Sequence, residues 1–412
     1  MTQSDRHLAD IRAIVEALRA GAALPRERLD ALAHRFLASS REGRGRIDPR
    51  VFAETIRSEL TGRFVHQGRA PDQTQVTRML AAALRRARDD IEDRTHFIPC
   101  RLFDGGGPPG LAVGPVAFHE TTGFRAARAD AIAADPEFSA LVERDFAPWG
   151  WTAEVTVRGC DRIVSRERAL KAVDGALDIL RLYAGADRAR ALGRAGAPGL
   201  PAVVPAGLWA DSTGRFHPVR AEAPAPADGA ALLHRLHAGD GRDWLDRAGE
   251  TLRPLADPSL GWPLAARFRE AGSWFGEGVT ESFPAARIPH FVTAIERAVV
   301  AGDHAELWRT VVRRAAVLAA AAEGGDVADW FRRAGGVYQI RSQIVHGAMS
   351  PFAPEAGAAA PQAAALARAV LQGALGFFET LGLTRARVSA SLLEGEFRKL
   401  ERRYPWPNEP AE

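Results

Sequence analysis

Trp330-Phe331-Arg332-Arg333-Ala334-Gly335-Gly336-Val337-Tyr338-Gln339-Ile340-Arg341-Ser342-Gln343-Ile344-Val345-His346-Gly347 decides how the C-terminal third is read. Trp330, Phe331, Val337, Tyr338, Ile340, Ile344 and Val345 roughly follow one apolar helical face. Gly347 offers the left-handed position that ends a helix, and Pro351 blocks its continuation. His346 therefore falls in the last helical turn. There the helix dipole favours imidazolium and nearby Arg341 opposes it, a balance that suits a general acid or base. An arginine and a histidine are in principle sufficient to cleave an RNA phosphodiester without a metal.

The bare Arg-to-His spacing recurs by chance in an Arg-rich chain, as Arg28 to His34 and Arg297 to His304 show. Context distinguishes Arg341: a buried helix, a glycine stop and a proline beyond it. Residues five apart on an ideal helix lie about 140° apart around the axis. Arg341 must therefore reach around the helix, or a second chain must complete the site, which favours a symmetric dimer. The competing reading makes Arg341 a structural ion-pair partner and His346 a helix cap.

Residues of roughly 255–402 resemble a HEPN domain of the Apea-like group of bacterial proteins. The likeness rests on Trp274-Phe275, on the helix Phe291-Val292-Thr293-Ala294-Ile295-Glu296-Arg297-Ala298, and on Tyr338 followed by Arg341 to Gly347. Ala294-Ile295-Glu296 matches the family's helix-plus-Glu motif, and Arg341, His346 and Gly347 match its Arg-x4-His-Gly motif. Phe97-Ile98-Pro99 and Val113-Gly114-Pro115-Val116 are similar to segments found upstream of such domains. The resemblance implies an all-α bundle, usually dimeric. In many members the activity is a metal-independent endoribonuclease of antiphage, abortive-infection or toxin–antitoxin systems. Other members are non-catalytic scaffolds or RNA- or protein-binding modules. Catalysis would fall to Arg341 and His346, with Ser342, Glu296 and Tyr338 in support, Glu296 alternatively pairing with Arg341 or with the neighbours of Arg297. Nuclease members often carry Asn or Asp after the arginine, where this chain has Ser342. The implied partners are an RNA substrate, a second copy of the chain, and an inhibitory or activating protein; no cofactor and no metal are called for.

Composition sets the outer bounds. A chain of 412 residues, 46% hydrophobic and 25% charged, has room for two or three ordinary globular domains. No apolar run approaches the ~20 residues of a membrane helix. The polar opening from Thr2 to His7 lacks a secretion signal's core, so a cytoplasmic location is expected. The net charge of +3 argues little for nucleic acid. Lys171 and Lys399 are the only lysines, so the arginine content reads as coding bias. Cys100 and Cys160 are too few for a disulfide framework and read as buried thiols.

The expected fold is α+β overall and mainly α. A helical N-terminal region covers 1–95, an α+β middle region 96–250, and a C-terminal all-α HEPN-like bundle 251–412. Leu8, Ile11, Ile14, Val15 and Leu18 recur at helical spacing, as do Leu29, Leu32, Ala33, Phe36 and Leu37. His96–Leu102 and Leu111–Phe118 read as two strands pairing as a hairpin around a Gly/Pro turn. Trp151–Val157 reads as a strand, Arg166–Tyr183 as a helix, and residues 201–221 as two strands. Glu222–Asp228 reads as a linker, and Glu355–Pro361 as a low-complexity loop entering the last apolar helix.

Other chemistry is weaker. Gly105-Gly106-Gly107-Pro108-Pro109-Gly110 lacks the Lys-Ser/Thr ending of a phosphate loop and reads as a turn. His234 and His237 share a helical face, but no third metal ligand is evident, and a solvated helix is the better reading. No Gly-x-Ser-x-Gly elbow is present.

Overall fold

The computed structural model describes residues 2–103, 111–196, 205–210, 216–220, 240–302, 306–404 and 406. The chain is mainly helical with a small amount of sheet, an α+β fold dominated by α. It divides into two compact units. One comprises residues 1–96, 156–170 and 255–259; the other comprises 97–155, 171–254 and 260–412.

The first unit is built on four helices, α1 (Gln3–Arg19), α2 (Arg26–Ser39), α3 (Pro49–Leu60) and α4 (Gln73–Arg88). Their starts are marked chemically. Thr2 and Asp5 form a reciprocal capping box at α1. Asp48 caps α3 ahead of Pro49, and the Asp72 carboxylate accepts the Gln75 N–H at 2.8 Å. Ile11, Ile14, Leu32, Phe52, Ile56, Phe64 and Met79 fill the core at the helical spacing expected of amphipathic segments.

Seven strands are described: β1 (Glu92–Arg101), β2 (Leu111–Val113), β3 (Val116–Glu120), β4 (Trp151–Cys160), β5 (Gly193–Arg194), β6 (Pro205–Ala210) and β7 (Phe216–Arg220). The first five form one sheet in the order β2-β3-β4-β1-β5, and β6 pairs antiparallel with β7. The expected hairpin between His96–Leu102 and Leu111–Phe118 is not formed. The hairpin lies inside the second segment, with Val113 opposite Val116 and Gly114 at φ 57° in the turn. That positive φ at the first central position turns the chain within two residues. β3 then pairs with β4, which separates it from β1. Gly114 is required twice over, because a Cβ there would stand 2.1 Å from the Gly249 carbonyl oxygen.

Helices α5 (Thr121–Ala127), α6 (Ala129–Ala134) and α7 (Pro136–Leu141) lead to β4, and α8 (Arg162–Ala184) follows it. After β7 come α9 (Asp240–Glu250) and α10 (Arg253–Ala256). The bundle then consists of α11 (Pro263–Thr280), α12 (Pro284–Val299), α13 (Leu307–Glu323), α14 (Val327–Val345), α15 (Pro354–Thr380) and α16 (Ala390–Glu401). Helix α15 packs against α11, α12, α13 and α14. The expected loop at Glu355–Pro361 is instead its first two turns. Alanine is the best helix former, and Ala356, Ala359 and Ala360 are buried. Pro361 is accommodated inside this helix.

Small residues set the spacing of these helices. A Cβ at Gly373 of α15 would stand 2.1 Å from the Leu318 carbonyl oxygen of α13, whereas one at Gly376 would meet nothing within 4 Å. Asp178 of α8 is buried against α11: a Cβ on Gly276 would stand 1.8 Å from its Oδ1. Arg181 Nη1 donates to Asp178 at 2.6 Å, and Nη2 to the Leu192 carbonyl at 2.6 Å. Burial outweighs this partner and pushes the Asp178 carboxyl up to about 7. Cys100 and Cys160 are buried free thiols, Cys100 pushed up to about 12 by burial.

Two outcomes are expected. Gly373→Ala should destabilise the fold by about 1–3 kcal/mol through overpacking. Gly376→Ala, three residues along, should instead stabilise it by about 0.5–1 kcal/mol; paired thermal melts distinguish the two. For Asp178, a carboxyl raised in the folded state contributes stability below its unfolded value of 3.8 that is lost as pH climbs through about 7. Melts from pH 4 to pH 8 should therefore show Asp178→Asn gaining stability relative to the parent as pH rises.

Candidate active site

Helices α12 and α14 bring together three of the five residues singled out from sequence. Tyr338 and Arg341 are three apart on α14 and so share a face. Both turn toward Glu296 in the last turns of α12. The Tyr338 hydroxyl donates to Glu296 Oε1 at 3.0 Å, and Arg341 Nη2 stands 3.8 Å from Glu296 Oε2. The Arg341 guanidinium carbon lies 5.7 Å from the centre of the Tyr338 ring.

The geometry follows from what surrounds it. Val292, Ile295, Val311, Val312, Ala315, Ala334, Val337 and Leu366 wall the side of Tyr338 and leave about 10 Å³ of space, at the lower edge of what one water needs. A phenol half-buried against apolar walls needs a protein acceptor, and Glu296 supplies it. Burial, then the Glu296 carboxylate, push the Tyr338 phenol up to about 12, so it stays a donor at neutral pH.

Arg341 is held differently. Its side chain is 24% exposed, and its separation from Glu296 is that of an ion pair and not of a hydrogen bond. Its Nε is buried without a partner, and the guanidinium makes no hydrogen bond among the described residues. The group is thus positioned by charge and by an aromatic face while its donors remain unused.

His346 occupies the end of α14, as expected. Its backbone, at φ −90° and ψ 4°, closes the helix, and its N–H donates to the Ser342 carbonyl at 2.9 Å. Gly347 takes the left-handed conformation at φ 74°, and its N–H reaches the Ile344 carbonyl at 3.2 Å. The imidazole is exposed and makes no hydrogen bond or ion pair among the described residues. Ser342 is half-buried and contributes its backbone carbonyl. One chain therefore assembles Glu296, Tyr338 and Arg341 and leaves His346 on another face.

The sequence reading treated Glu296 and Tyr338 as separate supporting residues; their mutual hydrogen bond was not expected. Val345 is 53% exposed, and Phe352 is 79% exposed with its ring 5.1 Å from that of Phe283. The Gly105–Gly110 segment and His234 and His237 lie outside the described residues, as does Glu222–Asp228. No helix among the described residues is long and apolar enough to cross a membrane.

A serine–histidine pair elsewhere offers no nucleophile. His96 Nε2 and Ser165 Oγ are 2.7 Å apart, but Ser165 is fully buried and cannot meet a substrate.

No family model matches the chain, and neither a curated protein nor a solved structure shows significant similarity to it.

If Glu296 anchors both neighbours, Glu296→Ala should cost about 1–3 kcal/mol by stranding the Tyr338 donor, against about 0.5–1.5 kcal/mol for Tyr338→Phe. The double variant should be less destabilised than the sum of the two, by roughly 1 kcal/mol in a denaturation cycle. Simple additivity would show that the pair does not interact in solution.

Proposed function

We propose that this chain is a cytoplasmic, metal-independent endoribonuclease of the HEPN type, used in bacterial antiphage defence or abortive infection. The observation that supports this reading is Arg341: a partly buried guanidinium fixed beside Glu296 and Tyr338 with its donors unspent. Such a group is pre-organised to bind a phosphodiester through paired N–H donors.

The chemistry needs little else. His346 takes the proton from the ribose 2′-hydroxyl, and that oxygen attacks the adjacent phosphorus. Charge accumulates on the non-bridging oxygens of the pentacoordinate phosphorus, where Arg341 stabilises it through its N–H donors. Departure of the 5′-oxygen, protonated by an imidazolium, leaves a 2′,3′-cyclic phosphate and a 5′-hydroxyl. The nucleophile belongs to the substrate, and DNA, lacking it, is refractory. In this reading two copies of the chain meet, so that Arg341 and His346 of both line one site. A further protein partner restrains or triggers the enzyme.

A second reading, a non-catalytic dimeric scaffold or RNA- or protein-binding module, is favoured by the Arg341–Glu296 pairing and by Ser342. There Arg341 is purely an ion-pair partner.

Incubating mixed cellular RNA with wild type, Arg341→Ala and His346→Ala in excess EDTA separates the readings. The expected result is cleavage by wild type alone, with 2′,3′-cyclic phosphate ends and losses of at least ~100-fold in both variants. Equal cleavage by all three would remove these residues from the mechanism. Absence of cleavage throughout, with His346→Ala losing stability, would favour the scaffold, and adding a cell extract as a source of the trigger would then separate it from a restrained enzyme.

A further inference from the structure

Helix α8 meets α11 through a buried pair of charges, a costly contact to place at a helix crossing. Asp178 and Arg181 are each 8% exposed, and Gly276 of α11 lies directly against them. A Cβ on Gly276 would stand 1.8 Å from Asp178 Oδ1 and 3.3 Å from Arg181 Nη1. The glycine is a notch in α11 that seats the pair.

Buried charges are tolerated where their partners are complete, and here they are not. Arg181 divides its donors: Nη1 serves Asp178, Nη2 serves the Leu192 carbonyl, and Nε is buried without a partner. Asp161 provides the contrast. It too is buried, but its carboxylate accepts backbone N–H bonds from Asp48 at 2.5 Å and from Val164 at 2.8 Å. Among the described residues, Asp178 accepts its bond from Arg181 alone.

The surrounding charges deepen the shortage. On α8, Asp174 lies one turn before Asp178 and is taken up by Arg194 of β5, through bonds of 2.7 and 2.9 Å. On α11, Glu277 follows Gly276 and faces His290 of α12 at 3.5 Å. Arg368 of α15 donates to the Leu182 carbonyl near the end of α8 and stands 3.6 Å from Glu323. Asp174 and Glu277 both disfavour a negative Asp178. With His290 uncharged, the carboxylates of Asp174, Asp178 and Glu277 outnumber the guanidiniums of Arg181 and Arg194. A proton on Asp178 restores the balance without needing space.

We infer that the Asp178–Arg181 pair is a proton-operated catch, which holds α8 in the Gly276 notch while Asp178 is protonated and loosens α8 from α11 when that proton leaves. Burial pushes the Asp178 carboxyl up to about 7, which sets the catch near neutrality. Seating α8 takes up a proton, so the seated state is favoured below that value and weakened as pH rises through it. α8 leads to β5 of the sheet and α11 is the first helix of the bundle, so the catch sets how firmly those two parts of the second unit are joined. It operates whether or not the chain cleaves RNA.

Hydrogen exchange followed by mass spectrometry on the full chain tests the catch, with rates corrected for intrinsic exchange at each pH. In the wild type, protection of peptides covering 171–184 and 270–280 is expected to fall about tenfold between pH 6 and pH 8 and then level off. That size follows from a carboxyl at about 7 when seated and 3.8 when released. In Asp178→Asn the fall is expected to vanish. Peptides of α13 should show no such fall in either protein. Glu277→Gln, at an exposed position, removes a repelling charge and should move the levelling-off to lower pH. An identical pH dependence in wild type and Asp178→Asn overturns the catch. So does a fall that spreads equally over α13, which marks a general stability effect and not a local joint. Should Asp178→Asn fail to fold, a levelling-off left unmoved by Glu277→Gln overturns it.

Discussion

The bundle depends on how closely α15 approaches its neighbours. Its buried face is mostly alanine and leucine, with Val370 and Phe378, and at Gly373 the backbone of α13 comes within the space a methyl group would need. Large side chains on both helices would hold them apart and weaken dispersion contacts over their whole length. With α15 seated this tightly, α12, α13 and α14 pack around it and against one another. That arrangement sets Glu296 of α12 within hydrogen-bond distance of Tyr338 on α14. The polar site is a consequence of apolar packing several turns away.

A chain of influence then runs outward through the site. The apolar walls around Tyr338 leave its hydroxyl only Glu296 as a partner, and that bond fixes one carboxylate oxygen. The other oxygen faces Arg341 across 3.8 Å, close enough for attraction and too far for a hydrogen bond. Arginine in this setting presents a planar fork of donors. A lysine would place one hydrated point charge here and lose the planar recognition, so the exchange is not conservative at this position.

Much of the fold was legible because periodicity and punctuation agreed. The end of α14 at Gly347 and the strands at 205–210 and 216–220 carried both signals, and α1, α2 and α4 of the first unit were marked by their periodicity. The two misreadings have physical causes. Glu355–Pro361 looks like low complexity, yet an alanine-rich segment against small neighbours is a good helix, and one proline within it is outweighed by burial. The hairpin at Gly114 was displaced because Gly114-Pro115 gives a tighter turn than the longer glycine-rich segment before it. At the site, Arg341, His346 and Gly347 could be picked out from their order in the chain. The Glu296–Tyr338 bond could not, because it joins residues 42 apart whose meeting depends on helix packing.

The angular separation of Arg341 and His346 is the remaining constraint on the proposed chemistry. Helix geometry places them on different faces, and the structure keeps them there: Arg341 turned inward to Glu296, His346 outward to solvent. Bending α14 to unite them would break the backbone bonds that close the helix at Ser342 and Ile344. In the proposed dimer those bonds would stay intact, with a twofold axis near the end of α14 setting the imidazole of one chain opposite the guanidinium of the other. Val345, next to His346 in the chain, and Phe352 beyond the helix end are exposed, and burying such apolar area favours association by about 25 cal/mol per Å² before the entropic cost of docking. In the proposed enzyme dimerisation and catalysis would then be coupled, because one chain holds Arg341 and His346 on different faces of α14.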